Sequence, residues 1–280
     1  MTELSIIDSE LRSPTGGANP YVRDAIVRLY EQESSQGDSK MLNVLWCYRS
    51  IYLIQSLYYE AFRYLSRASA ASDEINADGI DSEKSLLYEQ AWCELVDCET
   101  LIQDLCRNYC INSSSLDDFR ISVIWGDVRR LQLLFPYRYF LSEESVIKRR
   151  ECSICGQTVS LSGGCSHVPG KVYTGRMCRF QVLEAQLKAV SIVENPQDKK
   201  CVLKLHGRPY TFDCLDAIVP RIGPYSVWKY TVERRMKPEY IGIGDADKCS
   251  CGSGLSFGEC VRNDVERHSM LHVSIHLPKR

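Results

Sequence analysis

Apolar residues recur every three or four positions from Tyr21 to about Tyr139, a period that predicts α-helix over the first half of the chain. Val44, Cys47, Tyr48, Ile51, Ile54, Tyr58, Ala61, Phe62 and Leu65 form one stripe on a long helix. Leu87, Ala91, Leu95, Cys98, Ile102, Leu105 and Tyr109 form the matching stripe on a second. The Ala-, Ser- and Asp-rich stretch from Ser69 to Asp81 reads as the connection, with Asp81 as a cap for the second helix. Ser115 and Asp118 make a capping-box pair before a third helix running to about Leu134. Two long helices joined by a moderate loop predict an antiparallel hairpin, extended by shorter helices into a bundle. Pro14, Gly16, Gly17 and Pro20 mark residues 1–20 as a flexible lead-in.

The period changes near Pro136. Val190 to Val193, Cys201 to Leu205 and Tyr225 to Val232 are Val-, Ile- and Tyr-rich runs broken by Gly and Pro, and they predict strands. Tyr210 to Ile218 fits either element. The expected fold class is therefore α+β. A helical domain spans 21–145, a β-rich domain 146–244 and a short tail 245–280.

Composition sharpens the picture. At 280 residues, 44% hydrophobic and 25% charged, the chain has the make-up of a folded protein of one or two domains. The most apolar run, Met41 to Tyr59, contains Arg49 and is too mixed to span a bilayer. The start, MTELSIIDSELR, has no basic segment followed by an apolar one, so the expected location is cytoplasmic. In that setting fourteen cysteines point to metal rather than disulfides. Charge is uneven: residues 1–145 hold 13 Lys and Arg against 23 Asp and Glu, whereas 146–280 hold 21 against 13. A basic second half keeps nucleic acid open as a partner.

Two cysteine clusters carry the chemistry. In the first, Cys152 and Cys155 form a Cys-x2-Cys knuckle that Gly156 lets close, and Cys165, His167 and Cys178 follow. Five donors compete for the four corners of a zinc tetrahedron, and spacing leaves open which of Cys165, His167 and Cys178 complete it. Lys148, Arg149, Arg150, Lys171, Arg176 and Arg179 surround this zinc-ribbon-like segment. In the second cluster, Cys249 and Cys251 precede Gly252-Ser253-Gly254, a compact hairpin that returns Cys260 towards them.

The segment GDADKCSCGSGLSFGEC resembles the SEC-C motif, the small zinc module at the C-terminus of SecA translocation ATPases and on many other bacterial proteins. Cys249, Cys251, Gly252, Ser253, Gly254, Phe257 and Cys260 match that pattern. The family's fourth ligand falls on Val261, which cannot coordinate a metal; His268 is the nearest replacement, on a helix folding back from Asn263, and Asp264 a weaker one. The resemblance is confined to this segment. It implies a zinc-dependent binding element, in SecA one that contacts the chaperone SecB and the ribosome or membrane surface.

The chain has no Walker A loop, no dinucleotide-binding glycine fingerprint and no G-x-S-x-G. All five histidines lie at or beyond His167, which leaves the helical half without one. His206 and Cys214 make a weak case for a Cys–His hydrolase, since Cys214 sits in an apolar pattern that reads as core. Cys93, Cys98, Cys106 and Cys110 read as small core residues of the second helix. The tyrosines around the first helix serve either core or a partner surface. The expected function is a zinc-binding, non-enzymatic interaction protein whose partner is a protein, a ribosome or a nucleic acid. The alternative is a nucleic-acid-processing or hydrolytic enzyme whose site the sequence does not display.

Overall fold

A computed structural model describes residues 2–14, 19–72, 82–112, 114–204, 210–235, 242–249, 254–260 and 270–276. They form a mixed α and β protein of two compact units, 1–225 and 226–280.

The first unit begins with α1 (Glu3–Arg12), where composition predicted a flexible lead-in. Thr2 caps it by accepting from the Ser5 amide, and Ile7 and Leu11, four apart, bury on one side. Helix α2 (Pro20–Gln36) starts with Asn19 as cap and Pro20 in its first turn, and stops at Gly37 with φ 76°, a left-handed residue of the kind that ends helices. Helix α3 (Ser39–Ala70) is capped by Asp38, which accepts from the Lys40 and Met41 amides. Helix α4 (Glu83–Asn108) is capped by Ser82 rather than by Asp81, which lies outside the described residues. A single 3₁₀ turn, Leu116–Phe119, then leads into α5 (Ile121–Gln132). The Ser115 amide donates to the Asp118 carboxylate at 2.8 Å, the return bond of the expected capping box.

Helix α3 is the centre of the bundle, in contact with α1, α2, α4 and α5. Leu45, Trp46, Cys47 and Tyr48 are all buried, so its apolar surface wraps the helix instead of forming one stripe. Burial assigns Tyr48, Tyr52 and Tyr58 to the core, while Tyr59 and Tyr64 are half-buried. Tyr48 and Tyr58 are core residues whose hydroxyls donate to Asp8 at 2.9 Å and to fully buried Asp127 at 2.5 Å. Cys98 belongs to the same core and Cys93 is half-buried, whereas Cys106 is exposed and Cys110 lies beyond the end of α4.

After the helices the chain becomes β1 (Phe140–Cys152), β2 (Val172–Tyr173), β3 (Arg176–Met177) and β4 (Phe180–Val193). Strands β1 and β4 pair antiparallel from Phe140↔Val193 to Cys152↔Phe180, with register shifts after Glu144, Ile147 and Arg149. At one end Phe140 is buried against Trp92 of α4, and the Leu141 amide donates to Cys201 O at 2.8 Å. At the other end Cys152 opens the first cysteine cluster. Between them the side chains of both strands are exposed on both faces. The Phe140 end meets α4 at Trp92. Helix α6 (Asp213–Ile218) closes the unit; Asp216 takes a hydrogen bond from Tyr88 at 2.6 Å and an ion pair from Lys84 at 2.8 Å.

In the second unit β5 (Lys229–Arg235) pairs antiparallel with β6 (Met270–His276), from Lys229↔His276 to Arg235↔Met270. Among the described residues no helix is long and apolar enough to cross a membrane.

Candidate metal centre

The first cluster is built from turns. The Gly156 amide donates to Cys152 O at 2.8 Å, and Gly156 takes φ 71°. That left-handed residue closes the turn, so Cys152 and Cys155 project from one knuckle. The Ile154 amide points at Cys152 Sγ, 3.4 Å away, a contact that favours a thiolate. The second half is the β2–β3 hairpin. Its turn residues Thr174 and Gly175 have φ 46° and 71°, the paired positive values of a tight hairpin turn. The Cys178 amide donates to Lys171 O and Gly170 to Cys178 O, both at 2.8 Å, which fixes Cys178 beside the knuckle.

Cys152, Cys155, Cys165 and His167 place one ligand atom each within 4.8 Å of one another, an arrangement that could hold a metal ion. Cys178 is fully buried, and its sulfur lies 3.8 Å from Cys152 Sγ. A tetrahedral zinc with bonds of about 2.3 Å separates its sulfurs by about 3.8 Å. His167 stands with its ring edge on Tyr173, centroids 4.7 Å apart, and its Nδ1 is buried without a hydrogen-bond partner. The structure thus brings Cys152, Cys155, Cys165 and His167 together and sets Cys178 against Cys152.

The thiols perturb each other. Burial raises Cys152, but the Cys155 and Ile154 amides and the neighbouring thiols outweigh it and bring the group down to about 6. Burial and the charge of Cys152 push Cys178 up to about 11. A divalent cation relieves this crowding, because it stabilises all its thiolates at once.

The hairpin that leads to Cys178 is clamped to the helices by contacts with no sequence signature. Tyr30 of α2 donates to Gly175 O at 2.5 Å, and the Gly175 amide donates to Asn43 of α3 at 2.8 Å. At the end of α4, Asn108 donates to Gly170 O at 2.8 Å and accepts from the Val172 amide at 3.1 Å. The one signal that could have marked this hairpin is the Thr-Gly step between Val172-Tyr173 and Arg176-Met177.

The surrounding cations have local employment. Lys171 donates to Arg107 O, Arg176 to Ser153 O and Arg179 pairs with Asp104. Lys148 pairs with Glu184, and Arg150 stacks over Phe180.

Near the end of α4, the Cys47 and Cys110 sulfurs lie 3.6 Å apart. Burial pushes Cys47 up to about 12. The core reading of Cys214 does not hold: it is exposed, while its neighbours Phe212 and Leu215 are buried.

In the second unit the chain on either side of residues 250–253 pairs antiparallel. Lys248 bridges Ser256, the Cys249 amide donates to Leu255 O at 3.0 Å, and Gly254 has φ 76°. Cys249, Phe257 and Cys260 are buried. Cys251, Val261 and His268 lie outside the described residues. Compared with family models, curated proteins and solved structures, the chain finds no match.

Proposed function

We propose that the chain is a zinc-binding, non-enzymatic interaction protein. Zinc holds the 152–178 segment together, and that segment anchors the exposed β1–β4 ribbon against the helical bundle. The observation that carries this reading is the supply of donors: Cys152, Cys155, Cys165 and Cys178 provide four thiolates, with His167 alongside. A catalytic zinc keeps a corner for water, whereas four protein ligands fill the tetrahedron and make the ion structural. Thiolate-rich donors also favour zinc over harder cations.

The 3.8 Å contact favours Cys178 as the fourth ligand over His167. The orphaned Nδ1 of His167 favours the reverse. Cys178→Ser and His167→Ala decide between them: the ligand's removal releases the metal and the bystander's does not. The SEC-C resemblance makes the tail a second zinc-dependent contact element, with His268 in the place that Val261 cannot fill. On that reading Cys249→Ser releases a second equivalent of metal.

The partner is a protein or larger assembly. Lys171, Arg176 and Arg179 favour this over nucleic acid, because they serve carbonyls and an acid of this chain. A bound partner whose affinity changes little with salt supports it; a steep loss with salt, as phosphate contacts produce, speaks for nucleic acid.

A further inference from the structure

The β1–β4 ribbon has two outer edges, and they are treated differently. The edge of β1 is covered at both ends, by the bridges Phe140↔Val202 and Glu151↔Thr158. Its middle carries Glu143, Glu144, Lys148 and Arg149, charges of the sort that keep strand edges from pairing. Along the outer edge of β4 no strand lies among the described residues. That edge is mostly apolar, and Val182, Leu183, Leu187, Val190 and Ile192 are all exposed.

We propose that the outer edge of β4 pairs antiparallel with the same edge of a second copy of this chain, joining two ribbons into one four-stranded sheet. The order of residues is self-complementary. Between Gln181 and Val193 the strand has two charges, Glu184 and Lys188, set equally on either side of Gln186. A two-fold axis at Gln186 brings Glu184 of each copy opposite Lys188 of the other, and sets Val182 opposite Val190. An isologous contact needs this kind of match, because one surface must recognise itself. The register shifts within the ribbon leave Leu183 and Lys188 as extra residues of β4, one on each side of Gln186. The twist they add therefore falls on both halves. Lys188 has the further advantage of being spare: Glu184 pairs weakly with Lys148 at 3.4 Å, both groups being exposed, whereas Lys188 takes part in no ion pair among the described residues. The inference stands on the ribbon's edge and not on the identity of the metal.

Sedimentation equilibrium of the full chain at tens of micromolar tests it. The wild type is expected to be dimeric. Lys188→Glu sets like charges opposite each other twice and should raise the dimer dissociation constant about tenfold. The double variant Glu184→Lys with Lys188→Glu restores opposite charges across the axis and should restore the dimer. Both positions are exposed, and an unchanged far-UV circular dichroism spectrum checks that each variant is folded. A monomeric wild type overturns the proposal, and so does a dimer indifferent to Lys188→Glu or one that the double variant fails to rescue.

Discussion

Replacing Gly175 with alanine probes whether the hairpin beside the cysteines is held by the helices. Gly175 has φ 71°, a conformation that costs an L-residue about 1–2 kcal/mol. An added Cβ would overlap the Tyr30 hydroxyl and sit 2.9 Å from Leu42 O, which is backbone and cannot swing aside. Relief requires the hairpin to withdraw, and withdrawal loses the Tyr30 hydrogen bond to Gly175 O, worth about 1 kcal/mol. The expected loss is about 2–3 kcal/mol, read as a lower denaturant midpoint at constant slope. No metal donor is altered, so zinc content should stay at the wild-type level while the Gly175 and Val172 amides exchange faster. Tyr30→Phe removes one clashing atom and should cost less in the Gly175→Ala background than alone. Unchanged stability in Gly175→Ala, or strict additivity in the double variant, would refute the reasoning.

The remaining predictions follow from burial and charge. Cys155→Ser should lose the ribbon's metal and the order of 152–178 while keeping the helical circular dichroism, because α3 and α4 pack without it. Asp127→Ala strips the fully buried partner of Tyr58 and Arg130 and should cost about 3 kcal/mol in a denaturant melt. Glu94 is held above its usual value by burial and by Asp97 and Glu60, so its charged form strains the fold once pH exceeds the raised value. Glu94→Gln should therefore raise the thermal midpoint at pH 7 and leave it unchanged at acid pH, where both states are already protonated; equal effects at both would contradict this.

The sequence displayed what periodicity could encode. Cys47, Ile51, Ile54, Tyr58 and Leu65 were legible as core because a helix against a core must repeat every three or four residues. The ribbon was hidden for the same reason: exposed on both faces, Glu143 to Arg150 has no need to alternate apolar with polar residues. Within the ribbon, only Val190 to Val193, next to the buried foot at Phe140, read as strand. Helix α1 was masked by the Pro and Gly that follow it, although Thr2, Ile7 and Leu11 held its cap and buried side. Spacing located Cys152, Cys155, Cys165 and His167, the cluster that could hold a metal, because candidate ligands come as near neighbours on turns. Asn108, Tyr30 and Asn43 were illegible, since their partners are backbone groups far along the chain.

The central claim is that Cys152, Cys155 and their neighbours hold a zinc ion. Elemental mass spectrometry on protein purified without chelator, wild type beside Cys155→Ser, tests it most directly. The account predicts zinc in the wild type and one equivalent less in the variant. A wild type without metal, or a variant that retains all of it, would contradict the account and return these thiols to packing or redox chemistry.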